Sequence, residues 1–214
     1  MQRLLLATTN PDKVREIREI FGRLPVVITT LRDLPIFPEP EETGTTFQEN
    51  ARIKALYYDA AAAAAAGTDL EVRPYDAGSR SYTVAEDSGL IIDALGGDPG
   101  VHSARFLGPD VSYPERFAEI YARLAERPMR PRSARFVRAV AVTHEDAVVY
   151  ETTGVIEGEI ADAPRGAGGF GYDPIFYYPP YRCTLAEVSE EDKLRVAHRG
   201  QAFRQLAVWL EKRM

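Results

Sequence analysis

Val-Ala-Glu-Asp-Ser-Gly-Leu-Ile-Ile-Asp-Ala-Leu-Gly-Gly-Asp-Pro-Gly-Val-His-Ser-Ala-Arg-Phe, residues Val84 to Phe106, is the stretch on which the reading of the chain turns. Apolar residues at Val84, Ala85, Leu90, Ile91 and Ile92 predict two buried strand segments. Between them stand Glu86, Asp87, Ser88 and Gly89, two carboxylates and a hydroxyl at an expected kink. Gly96 to Gly100, reading Gly-Gly-Asp-Pro-Gly, is dense enough in turn formers to reverse the chain. Carboxylates beside buried β-structure are costly unless they meet a cation or a proton-transfer partner. Adjacent hard oxygens suit Mg2+, which takes one or two protein carboxylates plus substrate phosphates. An acidic loop between strands is the plainer reading, and this stretch alone leaves both standing.

Upstream, Leu4-Leu5-Leu6 reads as a buried strand that runs directly into Thr8-Thr9-Asn10. Asn10 is a good N-cap, Pro11 fits the first helical position, and Asp12 belongs in the first turn. Val14, Ile17, Ile20, Phe21 and Leu24 then recur at helical spacing. A strand, a polar turn and a helix start aim backbone N–H groups and hydroxyls at one spot, a natural phosphate cradle. Lys13 opposes the helix dipole unless an anion sits there, although surface lysines often break this rule. Val26 to Thr30 predicts a second strand, followed by a proline-rich connection through Pro40. Thr46-Phe-Gln-Glu49 is a capping-box pattern that opens a helix running through the alanine tract to Gly67, the expected C-cap. Asn50 and Lys54 lie four apart and so share one face of that helix. A solvated face explains the same spacing. Gly67 to Tyr82 reads as a surface loop or small hairpin.

Downstream, Ser112-Tyr-Pro-Glu115 again opens a helix, which continues to about Leu124. Phe136 to Thr143 and Ala147 to Thr153 alternate and predict an antiparallel pair, which Val155 to Ala161 extends across Gly154 and Gly158. Arg165 to Phe176 is the most glycine-dense stretch. Its glycines allow positive φ and close backbone approach, and Phe170 and Tyr172 offer rings for stacking or for the core. Ser189-Glu-Glu-Asp192 starts another helix, and Ala197-His198-Arg199-Gly200 interrupts it before a last amphipathic one. Phe203, Leu206, Val208 and Leu210 carry the apolar character of that last helix. His198 and Arg199 therefore stand at a helix break, where an Arg serves either as a fork of donors or in an ion pair.

At 214 residues the chain suits one α/β domain spanning 1–214, with room for two lobes. A net charge of -6 argues against a general nucleic-acid binder, so no stable nucleic-acid partner is expected. The single cysteine, Cys183, excludes an internal disulfide and fits a reducing cytoplasm. The longest run of small apolar residues, Ala60 to Ala66, is far too short to span a bilayer.

Assembled, these stretches resemble the inosine triphosphate pyrophosphatase family, which clears deaminated purine nucleotides. The resemblance runs from Ala7-Thr8-Thr9-Asn10-Pro11-Asp12-Lys13, through Glu42-Thr-Gly-Thr-Thr-Phe-Gln-Glu-Asn-Ala51 with Lys54, to Ala85-Glu-Asp-Ser-Gly-Leu90 and Ser103-Ala-Arg-Phe106. It ends with Gly168-Gly-Phe-Gly-Tyr-Asp-Pro-Ile-Phe176, Ala186-Glu187, Lys193 and His198-Arg-Gly200. It implies an elongated, twisted mixed β-sheet flanked by helices, with two lobes, a central active-site cleft and a homodimeric assembly. It also implies Mg-dependent hydrolysis of inosine and xanthosine triphosphates to monophosphate and pyrophosphate. Thr8, Thr9, Asn10, Pro11, Asp12 and Lys13 are implied to hold the triphosphate, aided by Asn50 and Lys54. Asp87 is implied as general base and Mg2+ ligand, with Glu42 the second metal carboxylate. Ser88, Phe170, Gly171, Tyr172, Asp173, Lys193, His198 and Arg199 are implied to contact the substrate, the later ones mainly the base.

Some positions depart from the family pattern. Thr9 replaces a common glycine, Leu194 and Ala197 stand where Asn and Ser are common, and Gly67 to Tyr82 is longer than expected. Two other readings stay open at this point. One is a pyrophosphatase for modified pyrimidine or 7-methylguanine nucleotides; the other is a non-catalytic nucleotide- or RNA-binding protein.

Overall fold

The computed structural model of the chain describes residues 2–22, 24–66 and 81–214. Its strands are β1 (Gln2–Leu6), β2 (Val26–Thr30), β3 (Ser81–Ile92), β4 (Ser133–His144), β5 (Ala147–Ile160), β6 (Phe176–Tyr178) and β7 (Cys183–Thr184). Its α-helices are α1 (Pro11–Phe21), α2 (Phe47–Ala66), α3 (Tyr113–Ala125), α4 (Glu190–Val196) and α5 (His198–Glu211). The seven strands form one open mixed sheet in the order β2-β1-β3-β4-β5-β6-β7. β1 runs parallel to both β2 and β3, with Leu4 opposite Ile28 on one side and Tyr82 on the other. β5, β6 and β7 pair antiparallel. Glu145 and Asp146, both at positive φ, make the tight turn from β4 to its neighbour β5.

Local sequence chemistry sets the helix starts. The Asn10 side chain accepts from the Lys13 N–H at 3.2 Å, and Pro11 takes the first helical position of α1. Thr46 Oγ1 accepts from Glu49 N at 3.1 Å, while Glu49 reaches back to the Thr46 N–H at 3.1 Å. Ser112 with Glu115 caps α3 in the same way, and at α4 the Ser189 side chain accepts from the Asp192 N–H. The break before α5 is a single residue, Ala197, in extended conformation. His198, Arg199 and Gly200 already form the first turn of α5.

One expectation about the strands is corrected. The chain does not kink at Glu86–Gly89, because β3 is one strand of 12 residues. Its polar side chains find partners within the sheet's surroundings, as described below, so nothing forces the ladder to break. β5 passes unbroken through Gly154 and Gly158 to Ile160, as the extension expected over Val155 to Ala161 requires. A Cβ at Gly158 would meet the Tyr177 carbonyl at 2.5 Å and the Phe176 ring at 2.6 Å, so only glycine lets β6 lie against this position. On α5, Val208 is half exposed, and Ala202, Phe203, Leu206, Trp209 and Leu210 form the buried face instead. Gly67 and the rest of the loop expected up to Arg80 lie outside the described residues, and Ser81 and Tyr82 belong to β3.

The chain divides into two compact units. The first comprises Met1–Asp87, Arg138–Thr153 and Arg199–Met214, and the second Ser88–Val137 and Gly154–His198. Each has a core of its own. Leu4, Leu6, Ile17, Phe21, Val84, Val140, Phe203 and Leu206 fill the first. Leu90, Ile92, Phe117, Ile120, Phe136, Ile156, Ile175 and Phe176 fill the second.

Candidate active site

In the first unit the chemistry gathers at Glu86 and Asp87, neighbours on β3 whose side chains emerge on opposite faces of the strand. Asp87 is buried. Its Oδ2 accepts from Asn50 Nδ2 at 3.1 Å and its Oδ1 from Lys54 Nζ at 3.0 Å. The same Lys54 ammonium lies 2.9 Å from Glu42 Oε1. Two carboxylates from distant parts of the chain thus converge on one cation position. Asn50 is fully buried and is fixed in turn by the Gly44 N–H, which donates to its Oδ1 at 2.9 Å. Gly44 has no room for a side chain, since a Cβ there would stand 2.6 Å from that oxygen.

Burial pushes the Asp87 carboxyl above the usual carboxylate range, against the pull of Lys54 and Asn50, and Glu42 pushes the same way. Burial would lower the Lys54 ammonium, but the carboxylates of Asp87, Glu86 and Glu42 outweigh it and hold Lys54 above the ordinary lysine value. The arrangement therefore holds Asp87 as a base readier to take a proton than an exposed aspartate.

Glu86 has different partners. Lys13, from the first turn of α1, pairs with its Oε1, and Arg138 of β4 lies 2.9 Å from its Oε2. Burial favours the neutral acid, but Arg138 and Lys13 outweigh it and hold the carboxyl well below the usual range. Arg138 is itself buried, which lowers its guanidinium to about 10 despite Glu86, with Arg199 pushing the same way. Arg199, also buried, is paired with Glu16 of α1. Thr8, Thr9, Glu42, Lys54 and Tyr58, with residues between Leu31 and Pro40, line a cavity of about 400 Å³.

In the second unit the glycine-rich segment is tied down by Asp173. Its Oδ2 accepts from the Phe170 N–H and from Lys193 Nζ, both at 2.9 Å. Gly169, at a φ of 70°, passes so close that a Cβ would stand 2.2 Å from that oxygen. The two aromatics of the loop part ways here. Phe170 is 56% exposed, with the Lys193 ammonium 5.1 Å from its ring centre. Tyr172 is buried, edge-on to Tyr113 at 5.3 Å, and donates to the Ser103 carbonyl at 2.8 Å. Its ring is therefore part of the core and offers no stacking face; burial pushes its hydroxyl up to about 12. His198 stacks on Phe136 at 5.2 Å.

The Ham1 family model matches residues 4–209. The chain belongs to the Ham1 family. A Geobacillus kaustophilus relative named dITP/XTP pyrophosphatase is 42% identical over 208 residues, covering 96% of this chain and 93% of that protein. A Halalkalibacterium halodurans relative of the same name is 38% identical, covering 99% and 100%. Among solved structures, a HAM1 protein from Coxiella burnetii is similar with a TM-score of 0.84 at 37% identity, over 99% of this chain and 100% of that one. The Staphylococcus aureus Ham1 protein gives 0.82 at 33% identity, with 99% and 100% covered.

In this Ham1 chain, Asp87, Asn50, Lys54 and Glu42 are brought together, with Thr8 and Thr9 on the cavity that Glu42 and Lys54 line. Asn10 and Pro11 serve the start of α1, and the side chains of Asp12 and Leu194 lie outside those described. Lys13 meets Glu86. Phe170, Asp173 and Lys193 form a second group, with Gly171 at positive φ beside them. Sequence reasoning missed Arg138, Glu16 and the role of Gly44. Arg138 carried a signal: it is the one charged residue in Phe136-Val-Arg-Ala-Val-Ala-Val142. A charge inside such a run demands a buried counter-ion.

Among the described residues, no group of three or more His, Cys, Asp or Glu stands ready to hold a metal. No helix among them is long and apolar enough to cross a membrane.

Proposed function

We propose that this Ham1 member hydrolyses deaminated purine nucleoside triphosphates of the inosine and xanthosine class to the monophosphate and pyrophosphate. The observation that carries the reading is the convergence of Glu42 and Asp87 on the Lys54 ammonium, with Glu42 and Lys54 on a cavity that Thr8 and Thr9 also line. The names of the relatives support the substrate class over modified pyrimidines and over a purely binding role. The extent of the family match supports one pyrophosphatase domain over 1–214.

Glu42 and Asp87, two hard carboxylates that share the Lys54 ammonium, would be the residues to hold Mg2+. When bound, the ion supplies charge neutralisation and a more acidic water. The remaining work falls to the chain. Asp87, its carboxyl raised by burial and oriented by Asn50, accepts a proton from the attacking water as the α–β phosphoanhydride bond breaks. Thr8, Thr9 and the N-terminus of α1 bind phosphate oxygens, joined by Lys13 and Lys54. On the second unit Phe170 offers its exposed ring to the base, above Lys193 and Asp173. The family resemblance is the support for assigning Arg199, on the first unit, to the 6-oxo group. Mg2+ as the ion, a homodimer and a cytoplasmic setting belong to the same proposal, on the strength of the family resemblance.

The test is pyrophosphate release from dITP, XTP, ATP and GTP with Mg2+ and with EDTA. Turnover of the inosine and xanthosine substrates is expected only with the metal. Asp87→Asn should lower it by roughly 10²–10⁴-fold while leaving the fold and nucleotide affinity intact. Undiminished turnover by that variant would remove Asp87 from the chemistry.

A further inference from the structure

Glu86 is a buried carboxylate with two cations, and they come from different places. Lys13 sits on its Oε1 from the first turn of α1, and its side chain is 28% exposed. Arg138 sits 2.9 Å from its Oε2, from the middle of β4, and its side chain is 2% exposed. The two cations therefore differ in freedom. Lys13 has a flexible four-carbon stem anchored beside the Thr8–Thr9 turn, so its ammonium can swing to another anion. Arg138 is fixed in the middle of a strand with its side chain almost wholly buried, so its guanidinium cannot swing away as Lys13 can.

That difference matters as soon as Lys13 is asked to bind phosphate. Leaving a buried carboxylate without any cation is strongly unfavourable, so a lone Glu86–Lys13 pair would hold its lysine fast. A second, immobile cation on the other oxygen removes most of that obstacle. We propose that Arg138 is a positioning residue for phosphate binding: it keeps Glu86 neutralised when Lys13 leaves, so that Lys13 can transfer to the triphosphate. This rests on the reading of Thr8 to Lys13 as the phosphate cradle, and it assigns Arg138 no contact with substrate.

The experiment uses the full chain and inorganic tripolyphosphate as the probe, with binding followed by calorimetry in wild type, Arg138→Met, Lys13→Ala and the double variant. Arg138→Met should weaken tripolyphosphate by roughly tenfold, equivalent to about 1.4 kcal/mol, and orthophosphate by much less. In the Lys13→Ala background the same change should have almost no further effect, because Arg138 acts through Lys13. Arg138→Lys should restore most of the affinity. Additive losses in the double variant would mean that Arg138 acts only through the general electrostatic field, and would overturn the proposal. So would tripolyphosphate binding that Lys13→Ala leaves unchanged. Should Arg138→Met fail to fold, Glu86→Gln/Arg138→Met, which has no buried carboxylate to satisfy, is expected to bind tripolyphosphate at least as well as wild type; weaker binding would again refute it. Hydrolysis of dITP by the wild type is scored separately. A chain that binds tripolyphosphate in this pattern but cleaves no nucleotide would fail the activity reading and not this one.

Discussion

Asn50→Ala tests the geometry around Asp87 most directly, because Asn50 is fully buried and both halves of its amide are engaged. Its Nδ2 donates to a carboxylate at 3.1 Å and its Oδ1 accepts from the Gly44 N–H at 2.9 Å. A bond to a charged acceptor contributes about 1.5–3 kcal/mol and a neutral one about 1, and the groups left behind are buried. Removing the amide also removes the cost of burying it, so the net loss should be about 2–4 kcal/mol. For a chain of this length each kcal/mol shifts Tm by about 2–4 °C, which puts the expected fall at about 5–15 °C. Urea titration and calorimetry measure it. A second consequence follows in the rate. Asn50 pulls the Asp87 carboxyl down, so its loss lets that carboxyl rise further. A base must be deprotonated to act, so the acid limb of the pH–rate profile should move to higher pH. Asn50→Asp separates the two bonds: it keeps an acceptor for Gly44 but turns a carboxylate toward Asp87. That variant should be destabilised at neutral pH and recover as the solution is made acidic. Stability within about 0.5 kcal/mol of wild type, with an unmoved acid limb, would show that Asn50 does not hold Asp87.

Three more outcomes are expected. Glu86 has a folded-state carboxyl held below its unfolded value, so its stabilisation is present above about pH 4.5 and is lost as pH falls toward the folded value. Glu86→Gln should accordingly be about 3–5 kcal/mol less stable near neutrality, with the gap closing below about pH 4; a gap independent of pH would sever the effect from ionisation. Phe170→Ala should weaken nucleotide binding by about 1–3 kcal/mol while leaving tripolyphosphate binding and Tm nearly unchanged; equal weakening of both probes would move Phe170 away from the base. Arg199→Ala should lower turnover of dITP with little change for ATP, since only the 6-oxo base offers an acceptor to the lost donor, and an equal fall on both would leave Arg199 as the partner of Glu16 alone.

What was legible in the sequence was local. Asn10, Thr46, Ser112 and Ser189 mark helix starts because a cap and the N–H it satisfies lie within three residues of each other. The Asp173 loop was half legible. Glycine density announced close approach, and Gly169 shows it, but which of two aromatics at 170 and 172 faces solvent depends on α3, through Tyr113 and Phe117. Val208 was misplaced for a similar reason. The 202, 203, 206, 209, 210 stripe of α5 includes an alanine and a tryptophan that a count of aliphatic residues passes over. Pairings such as Glu16 with Arg199 span most of the chain, and no spacing rule connects them.

The acidic dipeptide of β3 shows where a motif reading and a strand reading diverge. Taken as adjacent oxygens, Glu86 and Asp87 look like one hard-ligand site. A strand cannot present them so, because successive side chains leave on opposite faces. Each carboxylate therefore meets its own lysine from its own helix, Lys13 of α1 for Glu86 and Lys54 of α2 for Asp87. The symmetry ends at the other partner. Asp87 shares its lysine with a second carboxylate, Glu42, and so stands in an electron-rich pair short of one positive charge. Glu86 shares itself between two cations and stands in a group with positive charge to spare. One face of β3 is thus left with a net negative charge and the other with a net positive one. Exchanging the two residues, Glu86→Asp with Asp87→Glu, would keep composition and net charge and shift each carboxylate by one methylene. If that division of labour is set by these particular contacts, the swapped protein should fold and still lose turnover of dITP.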